Sequence, residues 1–250
     1  MARVVMLAGP GESTNIVFNA IQPDLVILED RVSRLPFIRR RIKKLGLGTV
    51  VGQVLFRGII VPLLRNLSKK RIREIKSENG LDDAPVPRDK IIFVHSVNDA
   101  STVMALKRAN PDVVVVNGTR IIAEEVLRAV PATFLNTHSG ITPLYRGVHG
   151  GYWALANKDR ANCGVTIHVV DAGIDTGDIV YQARIEPGRA DNFVTYPYLQ
   201  LAAAIDLLRH AITEAANGTI VRLPPPTGES RLWTHPTAVE YLRNLLGDVR

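Results

Sequence analysis

Short runs of β-branched residues recur along the chain and alternate with stretches of helical spacing, such as 13–21 and 99–109. Continuous apolar strands that alternate with helices form mainly parallel sheets covered on both faces. The sequence therefore predicts an α/β protein with one doubly wound, mainly parallel sheet in residues 1–190. The predicted strands are RVVMLAG (3–9), DLVILE (24–29), KIIFVH (90–95), DVVVVNG (112–118), ATFLNTH (132–138), GVTIHVV (164–170) and DIVYQARI (178–185).

Two segments depart from this alternation. Residues 31–80 contain no clear strand, and we predict a basic helical insertion there, after the second strand. A long apolar-periodic helix, VTYPYLQLAAAIDLLRHAITEAANG, precedes a Pro-rich loop and a short helix near the C-terminus. We expect these C-terminal helices, within 191–250, to form an extension that packs on the same domain.

Composition places the chain among folded proteins of the cytoplasm. The hydrophobic content of 46% is ordinary for a globular protein. A single cysteine, Cys163, excludes an internal disulfide framework, and no signal-peptide pattern precedes the first strand. The longest apolar stretch, 45–64, contains Arg57 and Pro62, so we predict an element that is soluble or lies on a surface rather than a membrane span.

The positive charge of the chain is concentrated in the insertion. Residues 31–76 contain 14 Lys and Arg against one acid, Glu74, so this segment has a net charge of +13. Because the whole chain has a net charge of +7, the remainder has a net charge of −6. Such a segment can meet phosphate or an anionic membrane face, form a dimer contact, or be a solvated helix face, and these alternatives stay open. Nucleic acid is disfavoured because only Phe37 and Phe56 are available there for base stacking.

Three side chains with complementary chemistry follow predicted strands. Asn136 and His138 are two residues apart at the end of one strand, so the pleat points them to the same face. Asp175 lies in a Gly-punctuated loop between two later strands. An amide donor, a proton carrier and a carboxylate without a serine or cysteine nucleophile favour direct attack on an activated carbonyl. No spacing of His, Cys or Asp indicates a metal, and we expect none.

Longer stretches around these residues resemble the formyltransferases that use 10-formyltetrahydrofolate. The resemblance covers about Val113 to Ile185 and is carried by NTHSGITPLYRG, GVHGGYWALANKD and CGVTIHVVDAGIDTGDIV. It implies a Rossmann-like formyltransferase fold. It also implies that Asn136 binds the formyl oxygen, that His138 handles protons and that Asp175 assists His138.

The same resemblance implies the binding residues. NGTRII, with Arg120, Ile121 and Ile122, is similar to the loop that lines the pterin pocket, and Val170 and Gly173 belong to its other wall. For binding of the acceptor, the resemblance implies Arg146 and Gly147, in the turn that follows Pro143. GPGESTNIV, with Gly11 and Ser13, partly resembles the phosphate-binding turn of the glycinamide ribonucleotide branch, although Glu12 and an additional residue interrupt the match.

The resemblance predicts an N-formyltransferase that acts on a small-molecule primary amine bearing phosphate. An amino sugar on a nucleotide is the favoured acceptor, because methionyl-tRNA formyltransferases carry an additional C-terminal domain and the purine branch lacks a basic insertion. Glycinamide ribonucleotide, aminoacyl-tRNA and hydrolysis of formyltetrahydrofolate remain alternatives. A protein that binds anions or membranes and retains a relic site is the non-catalytic alternative.

Overall fold

The computed structural model describes residues 2–31, 34–247 and 249. Residues 32 and 33 of the predicted insertion, and residues 1, 248 and 250 of the predicted terminal units, lie outside the described residues. The strands are β1 (Val4–Ala8), β2 (Leu25–Glu29), β3 (Ile91–Val94), β4 (Val113–Asn117), β5 (Thr133–His138), β6 (Tyr145–Gly147), β7 (Gly164–Val169), β8 (Ile179–Arg184) and β9 (Arg231–Trp233). The helices are α1 (Glu12–Ile21), α2 (Arg34–Leu45), α3 (Leu47–Leu55), α4 (Val61–Leu67), α5 (Lys69–Glu78), α6 (Ala100–Ala109), α7 (Glu124–Leu127), α8 (Gly150–Ala156), α9 (Tyr196–Asn217) and α10 (Ala238–Leu246).

The seven predicted strands form one sheet in the order β3-β2-β1-β4-β5-β7-β8. Neighbours from β3 to β5 are parallel, with Met6 opposite both Val26 and Val115 in the register of β1. The last two strands, β7 and β8, are antiparallel to their neighbours. The prediction of a mainly parallel α/β sheet is therefore confirmed. Two short strands, β6 and β9, pair separately.

Alternate residues of the central strands build a core on each face of the sheet. On one face, Met6 and Val115 belong to the same buried cluster as Leu208 of the long helix α9. On the other face, Leu7 and Val114 pack in a cluster that includes Leu106 of α6. Because helices cover both faces, β1 and β4 are buried along their whole length, and apart from Asn117 at the end of β4 they consist of apolar residues.

The described part of the insertion is helical, as predicted, and consists of α2 to α5. A π-helical turn, Phe56–Ile60, joins α3 to α4, so that residues Leu47–Leu67 form one continuous helix. Phe56 fastens this helix to the body, with its ring 4.8 Å from that of Phe193 and 5.1 Å from that of Tyr241. The division into a catalytic domain and a C-terminal extension at residue 190 stays a prediction.

Candidate active site

The carboxyl ends of β4 and β5 and the loop after β7 surround a cavity of about 590 Å³. Parallel strands end at this edge of the sheet, which is where α/β proteins bind ligands. Asn136 and His138 both reach the cavity, as their spacing on β5 predicts. The lining consists of Ser13, residues 116–122, residues 136–139, residues 147–149, Val165, His168, Val170, Asp171, residues 173–175, Pro197, Gln200 and Leu201.

Asp175 enters the cavity from the loop between β7 and β8. Its backbone is left-handed, with φ at 51°, a conformation that Asp tolerates better than most residues. The loop also needs Gly177, because a Cβ there would lie 1.7 Å from the Val169 carbonyl oxygen. The loop holds the Asp175 carboxylate against the end of β6, where the backbone N–H of Gly147 donates to Oδ2 at 2.9 Å.

His138 is buried and held from both sides of its ring. Its Nε2 lies 2.7 Å from the carbonyl oxygen of Tyr145, a pure acceptor, so Nε2 carries a proton and donates. Its Nδ1 lies 3.3 Å from Oδ1 of Asp175. A proton that reaches Nδ1 is therefore stabilised by the carboxylate. The structure thus brings two of the predicted side chains into a proton-handling pair.

Asn136 joins this pair through His168. The Nδ1 of His168 lies 2.9 Å from the Val169 carbonyl oxygen and donates to it, so Nε2 is free to accept. That Nε2 lies 3.0 Å from Nδ2 of Asn136 and 3.8 Å from Oδ1 of Asp175. The amide of Asn136 is therefore oriented by a neighbouring imidazole.

Sequence reasoning missed this role of His168, which lies within β7. The relevant signal is the antiparallel register of β5 and β7, which sets Asn136 directly opposite His168. Strand pairing of this kind is not visible in either strand alone.

The environment of Asp175 favours its charged form. Burial opposes ionisation, but the close contacts with the imidazoles of His138 and His168, the positive charge available on His138 and the N–H of Gly147 outweigh that effect. Together these contacts hold the pKa of the Asp175 carboxyl well below its usual range. The residue is consequently an anion at neutral pH and cannot itself donate a proton.

The residues predicted for the pterin pocket all line the cavity, but they differ in how they are used. Ile121 is 58% exposed, whereas Ile122 is buried in the core. The Arg120 guanidinium donates to the carbonyl oxygens of His95 and Asp30, at 2.9 and 3.0 Å, and so ties together the ends of β2 and β3. Arg120 thus has structural contacts at the edge of the site, while Ile121 faces the open space. Val170 and Gly173 form the opposite wall.

Only two of the four residues predicted to bind the acceptor line the cavity. Ser13 and Gly147 line the cavity, whereas Gly11 and Arg146 are not among its lining residues in the described chain. The Arg146 guanidinium instead donates to Ser230 Oγ at 2.9 Å and to the Ile174 carbonyl oxygen at 3.2 Å. It therefore braces the loop that carries Asp175.

The N-terminus of α1 already has an anion beside it. Glu12 lies in the first turn and is held by Lys76 at 2.8 Å and by the hydroxyl of Tyr198 at 2.9 Å. A carboxylate in this position repels a second anion and complements the helix dipole itself. The arrangement does not support the phosphate-binding turn that Gly11 and Ser13 suggested.

A second imidazole pair, which was not anticipated, lies beside the cavity, and one member, His149, lines its wall. Nε2 of His149 is 3.1 Å from Nδ1 of His235. Burial, together with the charge of Arg57, lowers the pKa of His149 to about 4. Burial, His149 and the nearby arginines lower the pKa of His235 to about 3. Both rings are neutral at physiological pH, so His149 adds no charge to the cavity wall.

Comparisons with known proteins agree with this fold. A family model described as Formyl transferase matches residues 71–196, half of the 250-residue chain. The methionyl-tRNA formyltransferase of Anaeromyxobacter dehalogenans strain 2CP-1 is 33% identical over 159 residues, which cover 58% of this chain and 51% of that protein. The enzyme of the same description from Thermodesulfovibrio yellowstonii is 29% identical over 166 residues, 66% of this chain and 51% of that protein. The chain thus spans about half the length of the curated relatives it matches.

Solved structures with low sequence identity share the fold. The phosphoribosylglycinamide formyltransferase of Streptococcus pneumoniae TIGR4 superposes with a TM-score of 0.54 at 20% identity, covering 85% of this chain and 98% of that one. A sugar N-formyltransferase from Shewanella sp. FDAARGOS_354 superposes with a TM-score of 0.53 at 16% identity, covering 91% of this chain and 75% of that one. These similarities establish the fold and do not identify the acceptor.

Proposed function

The chain belongs to the formyl transferase family, and we propose that it transfers a formyl group from 10-formyltetrahydrofolate to a primary amine. One observation carries the proposal: the carboxylate of Asp175 lies 3.3 Å from Nδ1 of His138 at a cavity that Asn136 also lines. An amide, an imidazole and a fixed carboxylate are the groups that acyl transfer between bound nucleophile and donor requires. The catalytic roles of these three residues are part of the proposal.

The cavity suits a flat heterocycle of the size of a reduced pterin. Its volume of about 590 Å³ falls within the range of cofactor pockets. Ile121 and Val170 offer apolar contacts, and residues 117–122, 170–171 and 173–175 bring backbone segments to the cavity wall. These segments would hold the folate, which supplies the formyl carbon.

Each proposed catalytic residue has a distinct task that its surroundings support. Asn136, oriented by His168, donates an amide hydrogen toward the formyl oxygen, where negative charge develops during transfer. His138 accepts through Nδ1 the proton that the amine must lose, while the Tyr145 carbonyl holds the ring in place. As the bond between the formyl carbon and the folate nitrogen breaks, His138 would pass this proton to the departing nitrogen. Asp175 stays ionised and stabilises the positive charge that His138 then carries. Removing one such donor costs about 2.7–4 kcal/mol of barrier in comparable sites.

We further propose an amino sugar carried on a nucleotide as the acceptor, in keeping with the amine chemistry above. Glu12 at the start of α1 argues against a ribonucleotide phosphate at that helix, and hence against glycinamide ribonucleotide bound in that way. Transfer to aminoacyl-tRNA and hydrolysis of formyltetrahydrofolate are alternative outcomes that the assay below can detect. The cytoplasmic location and a reaction without metal also stay predictions.

The assay combines the protein with 10-formyltetrahydrofolate and, separately, nucleotide-linked amino sugars, glycinamide ribonucleotide and charged initiator tRNA. Mass spectrometry detects the formylated amine, and a coupled assay detects free formate. We expect one acceptor to gain a formyl group in the parent protein but not in His138→Ala. The exposed His210 supplies the matched control, His210→Ala. Formate without an amine product would indicate hydrolysis, and no turnover with any acceptor would contradict formyl transfer to these amines.

A further inference from the structure

The continuous helix Leu47–Leu67 carries an apolar stripe that faces away from the protein. It is long and apolar enough to cross a membrane, yet only 17% of its most apolar 18-residue window is buried. A surface helix of a soluble protein turns its apolar stripe to the core, so this orientation is unusual. The stripe, which we call the outer apolar face, comprises side chains between 46% and 70% exposed: Leu47, Val51, Val54, Leu55, Ile59, Leu63 and Leu67.

The opposite side of the same helix is fixed to the body. Phe56 is completely buried in an aromatic cluster, and Gln53 is 5% exposed. The Gln53 amide donates to Thr234 Oγ1 at 3.1 Å and to the His235 carbonyl oxygen at 2.6 Å. Crossing a bilayer would break these contacts and leave a polar amide in hydrocarbon. The helix can therefore meet a membrane only by lying along its surface.

Helix α10 extends the exposed apolar area. Its first turn approaches α3 so closely that a Cβ on Gly52 would lie 2.8 Å from Cβ of Thr237. Val239, Leu242 and Leu246 of α10 are all exposed. Two neighbouring helices thus present aliphatic side chains to the outside.

Cations flank the outer apolar face at both ends. Residues 31–76 hold 14 Lys and Arg and one acid, Glu74, which is already within 3.8 Å of Lys70 and of Arg71. Charge of this sign and density complements anionic lipid headgroups, while the aliphatic stripe between suits the boundary of the acyl chains. Exposed cations include Arg39, Arg40, Lys43 and Lys44 before the helix, Arg57 within it, and Arg65, Lys69, Lys70 and Arg73 at and beyond its end.

From this combination we propose that the outer apolar face docks the protein on an anionic membrane surface, with the helix parallel to the bilayer. A second copy of the chain fits less well, because a two-fold contact sets the face against itself and brings the flanking cations together. Nucleic acid fits less well because the centre of the face is aliphatic. This proposal does not depend on the reaction that the cavity catalyses.

Vesicle flotation tests the proposal with the whole protein. We expect the parent to float with vesicles of phosphatidylcholine and phosphatidylglycerol in equal parts, to float poorly with phosphatidylcholine alone, and to bind less as salt is raised. The variant Ile59→Asp/Leu63→Asp places two charges on the face and should lower the bound fraction by about tenfold or more. A second variant, Arg65→Glu/Lys69→Glu, keeps the aliphatic face and should weaken binding to the anionic vesicles.

The matched control changes two equally exposed apolar residues elsewhere. Phe93→Asp/Met104→Asp alters side chains that are each 65% exposed at β3 and α6, and it should bind vesicles like the parent. Thermal unfolding midpoints verify that all variants are folded. The proposal is wrong if the parent ignores anionic vesicles or if Ile59→Asp/Leu63→Asp binds them as the parent does. A parent protein that does not bind anionic vesicles but forms a dimer, which Ile59→Asp/Leu63→Asp dissociates, would show that a second copy covers the face. A parent protein that binds RNA instead of the vesicles would likewise contradict the proposal.

Discussion

Asp175 is the residue on which the geometry of the site converges, because it contacts the imidazoles of His138 and His168 and the end of β6. We predict that Asp175→Asn lowers kcat by about 10²–10⁴-fold, the range typical of a lost acid–base contribution. Asn tolerates the left-handed backbone at this position, so the loop should keep its path. Steady-state kinetics with the acceptor that the formylation assay selects, alongside His210→Ala, measures the effect. Activity within a few-fold of the parent would contradict the role proposed for the carboxylate.

His168 is a positioning residue whose contribution can be separated from that of Asn136. We predict that His168→Ala lowers kcat by about 10²-fold, since a displaced amide loses its alignment with the formyl oxygen. His168→Gln supplies a side-chain oxygen that can accept from Asn136 and should recover part of that loss. KM for the amine should change little in either variant. Equal activity of the Ala and Gln variants would show that the hydrogen bond to Asn136 does not matter.

The limits of sequence reasoning at this scale follow from strand pairing. Asn136 and His138 were predictable because a strand points alternate side chains to one face. His168 was not, because its partner lies on another strand and the register depends on the folded sheet. The contacts of Arg120 with the ends of β2 and β3 likewise depend on the order of strands.

At the scale of elements, buried parallel strands were predictable because they must be apolar on both faces, as VVVVN of β4 shows. The helix Leu47–Leu67 shows the converse. Its periodicity indicates an apolar stripe, but the same stripe can face the core or the solvent, and only the packing of Phe56 and Gln53 fixes which side is inward.

Two glycines of α3 provide a matched test of that packing. Gly52→Ala places a methyl 2.8 Å from Cβ of Thr237, whose side chain is held by its capping box with Glu240. Overpacking of this kind costs about 1–3 kcal/mol, which exceeds the gain of about 1 kcal/mol from replacing a helical glycine. Gly48→Ala meets nothing within 4 Å and should stabilise the protein by about 0.5–1 kcal/mol. Urea unfolding measures both, and a stabilising Gly52→Ala would contradict the close approach of α3 and α10.

At the scale of the whole molecule, the insertion, the cavity wall and the C-terminal segment meet at the imidazole pair. His149 precedes α8 and lines the cavity, His235 precedes α10, and the carbonyl of His235 accepts from Gln53 of α3. Protonation of His149 or His235 therefore places a buried charge where these three segments meet. Nothing in the sequence linked residues 149 and 235, because 86 residues separate them.

The pair makes the stability of the fold sensitive to mild acid. Burial lowers the pKa of His149 to about 4 and that of His235 to about 3, whereas an unfolded histidine has a pKa of about 6.5. Below about pH 6.5 the unfolded chain therefore binds protons that the folded protein excludes, and the free energy of unfolding falls as the pH is lowered toward 4 and 3. Each ring contributes a slope of up to about 1.4 kcal/mol per pH unit in this window.

We predict that the variant His149→Asn/His235→Gln loses most of this slope while the parent retains it. Asn suits the left-handed backbone of residue 149, where φ is 57°. Urea unfolding at several pH values between 7 and 4 gives the free energy for both proteins, and subtracting the two profiles removes the carboxylates they share. Ionised Asp175 stabilises the fold above its unfolded pKa of about 3.9, and that contribution is lost only as the pH falls below it. A parent profile that stays flat from pH 6.5 to 4 would mean that the buried pair accepts protons without cost, and that these rings do not hold the junction as the structure indicates.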